Sequence, residues 1–158
     1  LPDLPSIAPF HMNPPASHLS GRWKRRFLVA THGNPRLVNF AFEFARSQNA
    51  ELLILFIRHM AVHSRGAKTE DLQGDQEALQ LADRVKQLSV STGVPSHFLY
   101  TTATNIPEAL IDIAVTHGVE TVLVGAPRRG HLWRAMKGDI IQSLGTLLPE
   151  SISLLITA

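Results

Sequence analysis

The chain has 158 residues and no cysteine, and its 15 basic and 13 acidic side chains leave a formal net charge of +2. That length suits one domain with a substantial core, while the missing thiols exclude disulfides, thiolate catalysis and cysteine-ligated zinc or iron–sulfur centres. The even charge balance offers no compositional reason to expect nucleic acid as a partner, and no apolar run reaches the roughly 20 residues of a membrane-spanning helix, so a soluble, cytoplasmic chain is expected.

Five of the ten prolines, Pro2, Pro5, Pro9, Pro14 and Pro15, fall early in the chain. Each fixes φ and removes a backbone donor, so residues 1–24 read as a proline-rich leader or linker and residues 25–158 as the folded domain. The chain begins at Leu1, which suggests either a piece of something longer or a start at Met12. The leader ends in a basic run, Arg22, Lys24, Arg25 and Arg26, which reads as an ordinary solvated edge or as a contact for phosphate or acidic lipid.

From Arg26 onward, short apolar runs alternate with segments of helical period, the pattern of βαβ units on a parallel sheet. Strands are predicted at Phe27 to Thr31, Leu52 to Ile57, His97 to Tyr100, Thr121 to Val124 and Ile152 to Thr157. The first helix starts at Asn34 and Pro35 and offers Leu37, Phe40, Ala41, Phe44 and Ala45 as one apolar stripe. After a polar stretch from Arg65 to Gln76, a second helix carries Leu81, Ala82, Val85 and Leu88 and ends at Gly93 and Pro95. A third follows Asn105, with Pro107 in its first turn, and buries Ala109, Leu110, Ile113 and Ala114 before stopping at Gly118. A fourth follows Asp139, with Ile140, Ile141, Leu144 and Leu148 inward.

The expected architecture is a three-layer α/β sandwich, a five-stranded parallel sheet of order 3-2-1-4-5 with helices on both faces. In that order the reversal falls between strands one and four. A ligand crevice is therefore expected between His32 and Gly33 on one side and the loop from Gly125 to Gly138 on the other. That loop holds Arg128, Arg129, Arg134 and Lys137, and glycines with free N–H groups at a helix start suit a phosphate.

These residues resemble the universal stress proteins, in their adenine-nucleotide-binding branch. The loop glycines Gly125 and Gly138 keep the family's overall separation, Gly130 and Leu132 match its frequent Arg-Gly-Gly-Leu continuation, and the opening strand, the second strand and the segment from Ile106 to Gly118 correspond in order and distance. The resemblance spans residues 25 to 158. It implies a non-catalytic stress-response domain that binds ATP, with Mg²⁺, another adenine nucleotide or another phosphate-bearing ligand. The binding residues it implies are Ala30, Thr31, His32, Gly33 and Ile57 on one wall and Val124, Gly125, Arg128, Arg129, Gly130, Gly138, Asp139 and Ile140 on the other. Dimerisation through the last strand is implied as well.

Three positions depart from the family's pattern. His32 stands where a base-contacting aspartate is usual; it can hydrogen-bond a ribose or a base, or simply pack. Arg128 replaces a glycine, and its side chain either fills the crevice or meets a phosphate. Asp139 replaces a hydroxyl residue and suits a helix cap better than an anion. His131 and Trp133 could stack on a base, though packing on the following helix is the plainer role.

No Ser-His-Asp order and no Walker glycine-lysine sequence is present, and His59 and His63, at i and i+4, leave a strand for a polar loop, so neither catalysis nor a metal centre is expected. An alternative from another class is a dimerising module that no longer binds nucleotide, the cytoplasmic part of a larger protein such as a membrane transporter, with the basic run beside the membrane.

Overall fold

The computed structural model describes residues 25–60, 72–126 and 140–157. Strand β1 spans Arg25–Ala30, β2 Ala50–His59, β3 Ser96–Ala103, β4 Thr121–Gly125 and β5 Ser153–Thr157. Helix α1 spans Pro35–Ser47, α2 Gln76–Thr92 and α3 Ile106–Thr116, while α4 occupies residues 140–147. All four strand pairings are parallel, and the sheet runs β3-β2-β1-β4-β5, the order expected.

The crossovers need helices on both faces, and strand alternation sorts the core accordingly. Phe27 and Val29, Leu52, Ile54 and Phe56, Phe98 and Tyr100, and Leu123 point to the face covered by α1 and α2. Leu28, Leu53, Leu55, Ile57, Leu99, Val122 and Val124 point to the other face, where Leu110, Ile113 and Ala114 of α3 and Leu144 of α4 meet them. The inner strands are apolar on both faces, which is why β2 buries eight consecutive residues from Ala50 to Ile57.

Helices α1, α2 and α3 each begin on a side-chain cap. Asn34 Oδ1 accepts from Arg36 N at 3.1 Å with Pro35 following, Asp75 Oδ1 accepts from Ala78 N at 3.1 Å, and Asn105 Oδ1 accepts from Glu108 N at 3.1 Å. Helix α2 ends where Gly93 takes φ +74, and its N–H returns to Ser89 O at 3.0 Å.

Helix α1 differs from the expected stripe. It buries Leu37, Val38, Ala41, Phe42 and Ala45, whereas Phe40 is exposed and Phe44 half-buried. Seven of its residues between 37 and 45 are apolar, so two overlapping stripes were available. The sheet takes the one carrying Val38 and Phe42, and Phe40 instead stacks on Phe44 at 5.7 Å, with Phe44 on Phe27 at 5.0 Å.

Candidate functional site

The open end of the sheet is created by strands of unequal length. The β1–β2 ladder runs from Arg25 opposite Ala50 to Ala30 opposite Leu55, and its last bond is Thr31 N to Leu55 O at 3.1 Å. Beyond that point β2 continues to His59 against β3, and β4 continues to Gly125 against β5, with Ala126 N on Thr157 O at 2.6 Å. The central strand thus stops short of both neighbours, leaving a cleft at the position where the strand order reverses.

Thr31 turns the chain out of the sheet. Its buried hydroxyl accepts from Gly33 N at 2.9 Å and from Asn34 N at 3.2 Å, and Gly33 adopts φ +110, a conformation a residue with Cβ rarely takes. This tight turn presents His32 at the mouth of the cleft. Its Nε2 lies 2.6 Å from Ile57 O, and since a carbonyl can only accept, Nε2 carries the proton and donates. The imidazole also stacks on Phe56, centroids 4.3 Å apart and planes 15° from parallel.

Phe56 has two further partners. Tyr100 stacks on it at 5.6 Å, the Arg58 guanidinium lies 4.9 Å from its centroid, and both Arg58 and the Tyr100 hydroxyl end on Asp75. Arg58 donates to Asp75 through two nitrogens, at 2.9 and 2.8 Å, and to Glu77 at 2.9 Å. Burial works to raise the Asp75 carboxyl, but donors from Arg58, Ala78 N and Tyr100 together hold it below its ordinary value. The hydrogen bond to Asp75 in turn raises the Arg58 guanidinium above its usual range.

Of the residues expected to line the crevice, the structure puts Ala30 opposite Val124 in the β1–β4 register, carries Gly125 to the end of β4, and joins His32 to Ile57 by a direct hydrogen bond. Thr31 and Gly33 shape the turn rather than point into the cleft as free groups. Ile140, the first described residue of α4, is partly buried against the core face that includes Val124. Arg128, Arg129, Gly130, Gly138 and Asp139 lie outside the described residues, as do His131, Trp133, Arg134 and Lys137 of the same loop, His63, and the leader of residues 1–24. Phe56, Arg58, Asp75 and Tyr100 were not anticipated. Asp75 stands just before a helical run, the signature of a cap, and was the one legible signal among them.

A second polar cluster occupies the opposite pole. Glu51, wholly buried, faces Arg26 with Nε to Oε1 at 2.6 Å, and Arg26 also donates to His117 O at 2.6 Å. Neither Glu51 oxygen receives a well-aligned hydrogen bond, and the Nε2 atoms of His97 and His117 are buried without one. Burial pushes the Glu51 carboxyl up to about 7, against the attraction of Arg26. Burial first, then Arg26 and His117, holds His97 below its usual value; burial, with Arg26, does the same for His117 against its bond to Ile113 O.

Comparison with known proteins places this geometry. The model of the Universal stress protein family matches residues 24–149. A universal stress protein solved in complex with cAMP superimposes with a TM-score of 0.64 at 15% identity, over 85% of this chain and 97% of that one. A universal stress protein from Lactobacillus plantarum gives 0.65 at 15% identity, over 86% and 99%. One from Archaeoglobus fulgidus in complex with dAMP gives 0.59 at 12% identity, over 85% and 98%. No curated protein matches the chain by sequence.

Proposed function

The chain belongs to the universal stress protein family, and on that footing we propose that it is a non-catalytic regulatory domain of the cytoplasm whose cleft between β1 and β4 binds an adenine nucleotide or another phosphate-bearing ligand. The observation that carries this reading is the shortened central strand. It leaves the Ile57 carbonyl and the wholly buried Phe56 ring with His32, alone among the described residues, over both, at the end of the sheet that the Gly125 end of β4 borders on its other side. An aromatic face beside a backbone acceptor suits a planar ring bearing an N–H or amino donor.

Relatives of the same fold have been solved with cAMP and with dAMP, which supports a nucleotide over an unrelated anion. The phosphates would fall to Arg128, Arg129, Gly130 and the helix start after Gly138, where forked donors and free N–H groups suit them. A bound Mg²⁺ would offset the charge that Asp139 adds.

Strand β5 ends the sheet with one edge unpaired among the described strands, and Ile156 on it is exposed, which favours a homodimer formed through Ser153–Thr157. The same edge serves a second reading, a dimerising module tethered to a larger membrane protein. Thermal melting separates them. A ligand bound by the folded state alone raises the melting temperature by mass action, so ATP, AMP or cAMP at millimolar concentration raises it under the first reading. No shift with any of the three leaves the second.

A further inference from the structure

Two groups at the end of the cleft are already engaged by one side chain of the protein itself, His32. Ile57 shares the parity of Leu55, whose carbonyl takes the last rung from β1, so the Ile57 carbonyl points the same way into the space β1 has left. That acceptor receives His32 Nε2 at 2.6 Å, and the aromatic face beside it, Phe56, receives the His32 ring at 4.3 Å and 15°. A flat heteroaromatic ring, stacked on one side and donating one N–H from its edge to a backbone carbonyl, makes the contacts by which a protein holds a nucleobase.

We infer that His32 is an internal occupant of the ring-binding end of the cleft, and that a ligand ring seats there only by displacing it. The inference rests on the reading of the cleft as a nucleotide site. Three features support it beyond the contact itself. His32 is exposed and sits at the tip of a turn whose other residues are tied down, Thr31 by Gly33 N and Asn34 N and Asn34 by Arg36 N, so the ring can leave without unravelling the backbone. Phe56 stays in place when it does, held by Tyr100 and Arg58, which both end on Asp75. The ring is tethered to the chain and always at hand, so it competes at a high effective concentration and lowers the apparent affinity of any free ligand by the fraction of time the site is vacant.

Wild-type protein and His32→Ala are titrated with AMP, the affinity read by calorimetry and the wild-type imidazole followed by its long-range ¹H–¹⁵N resonances. Removing one hydrogen bond and one stacking contact from the competing state is expected to tighten AMP binding on the order of tenfold. In the wild type, AMP is expected to move the His32 ring resonances as the ring leaves Phe56. AMP binding that is equal or weaker in His32→Ala, or that leaves the wild-type ring resonances unmoved, overturns the displacement inference while the nucleotide reading stands. AMP bound by neither protein overturns the displacement inference, and no binding of ATP, ADP or AMP by either protein overturns both.

Discussion

Arg26 and Glu51, neighbours across the β1–β2 register, form an ion pair in which the carboxylate is wholly buried and its oxygens lack well-aligned donors. A charge so placed is costly unless matched in full. With the folded-state carboxyl pushed up to about 7 from an ordinary value of 4.5, the folded chain holds a proton that the unfolded chain has released. The stabilisation from that proton is fully present below about pH 4.5 and is lost as pH rises through about 7, on the order of 3 kcal/mol in all. His97 and His117 act in the opposite sense. Their lowered values mean that stability present above pH 6.5 is lost as pH falls. Comparing wild type with Glu51→Gln by denaturation from pH 4.5 to 8 isolates the carboxyl. The variant gains on the wild type as pH rises, and a gap constant with pH contradicts the assignment.

Asp75 carries four donors at once, two from Arg58, one from Tyr100 and one from the α2 backbone. Asp75→Ala removes the helix cap and leaves Arg58 and a buried hydroxyl without their shared acceptor, for a loss of about 3 kcal/mol. Tyr100→Phe removes one bond and costs about 1 kcal/mol. Chemical denaturation checks both, and equal losses would mean that Asp75 acts through Tyr100 alone.

The fold was largely legible because its signals are local. Alternation, Pro35 and Pro107 at helix starts and Gly93 at a helix end place the elements, and handedness rules leave few ways to connect them. The phase of α1 was not legible, because apolar residues occupy both faces that could turn inward and only packing on β1 and β2 chooses Val38 and Phe42. At the cleft, the strand end and the facing glycine were readable from topology, while the His32–Ile57 bond was not. It joins residues 25 apart that meet only because β1 stops before β2. The buried group of Arg26, Glu51, His97 and His117 escaped notice for the same reason, since register and a crossover helix assemble it from four elements.

Gly33 supplies the positive φ that turns the chain from β1 toward α1. Although a Cβ there meets nothing within 4 Å, φ +110 is strained for any other residue. Gly33→Ala is expected to cost about 1 to 3 kcal/mol and to shift the ring resonances of His32. A melting temperature and a spectrum both unchanged would show that the turn tolerates side chains.

Ile156 is exposed on β5, which has one edge unpaired among the described strands. Light scattering is expected to give a dimer at tens of micromolar, and Ile156→Lys, which puts a charge on that edge, is expected to give a monomer with an unaltered circular dichroism spectrum. A monomeric wild type removes the β5 interface from the account.

The central claim is that the cleft left by the short β1 holds a nucleotide. Isothermal calorimetry with ATP, ADP and AMP, with and without Mg²⁺, tests it most directly. The account predicts saturable heat at one site per chain with at least one of them, while no heat from any at millimolar concentration would contradict it.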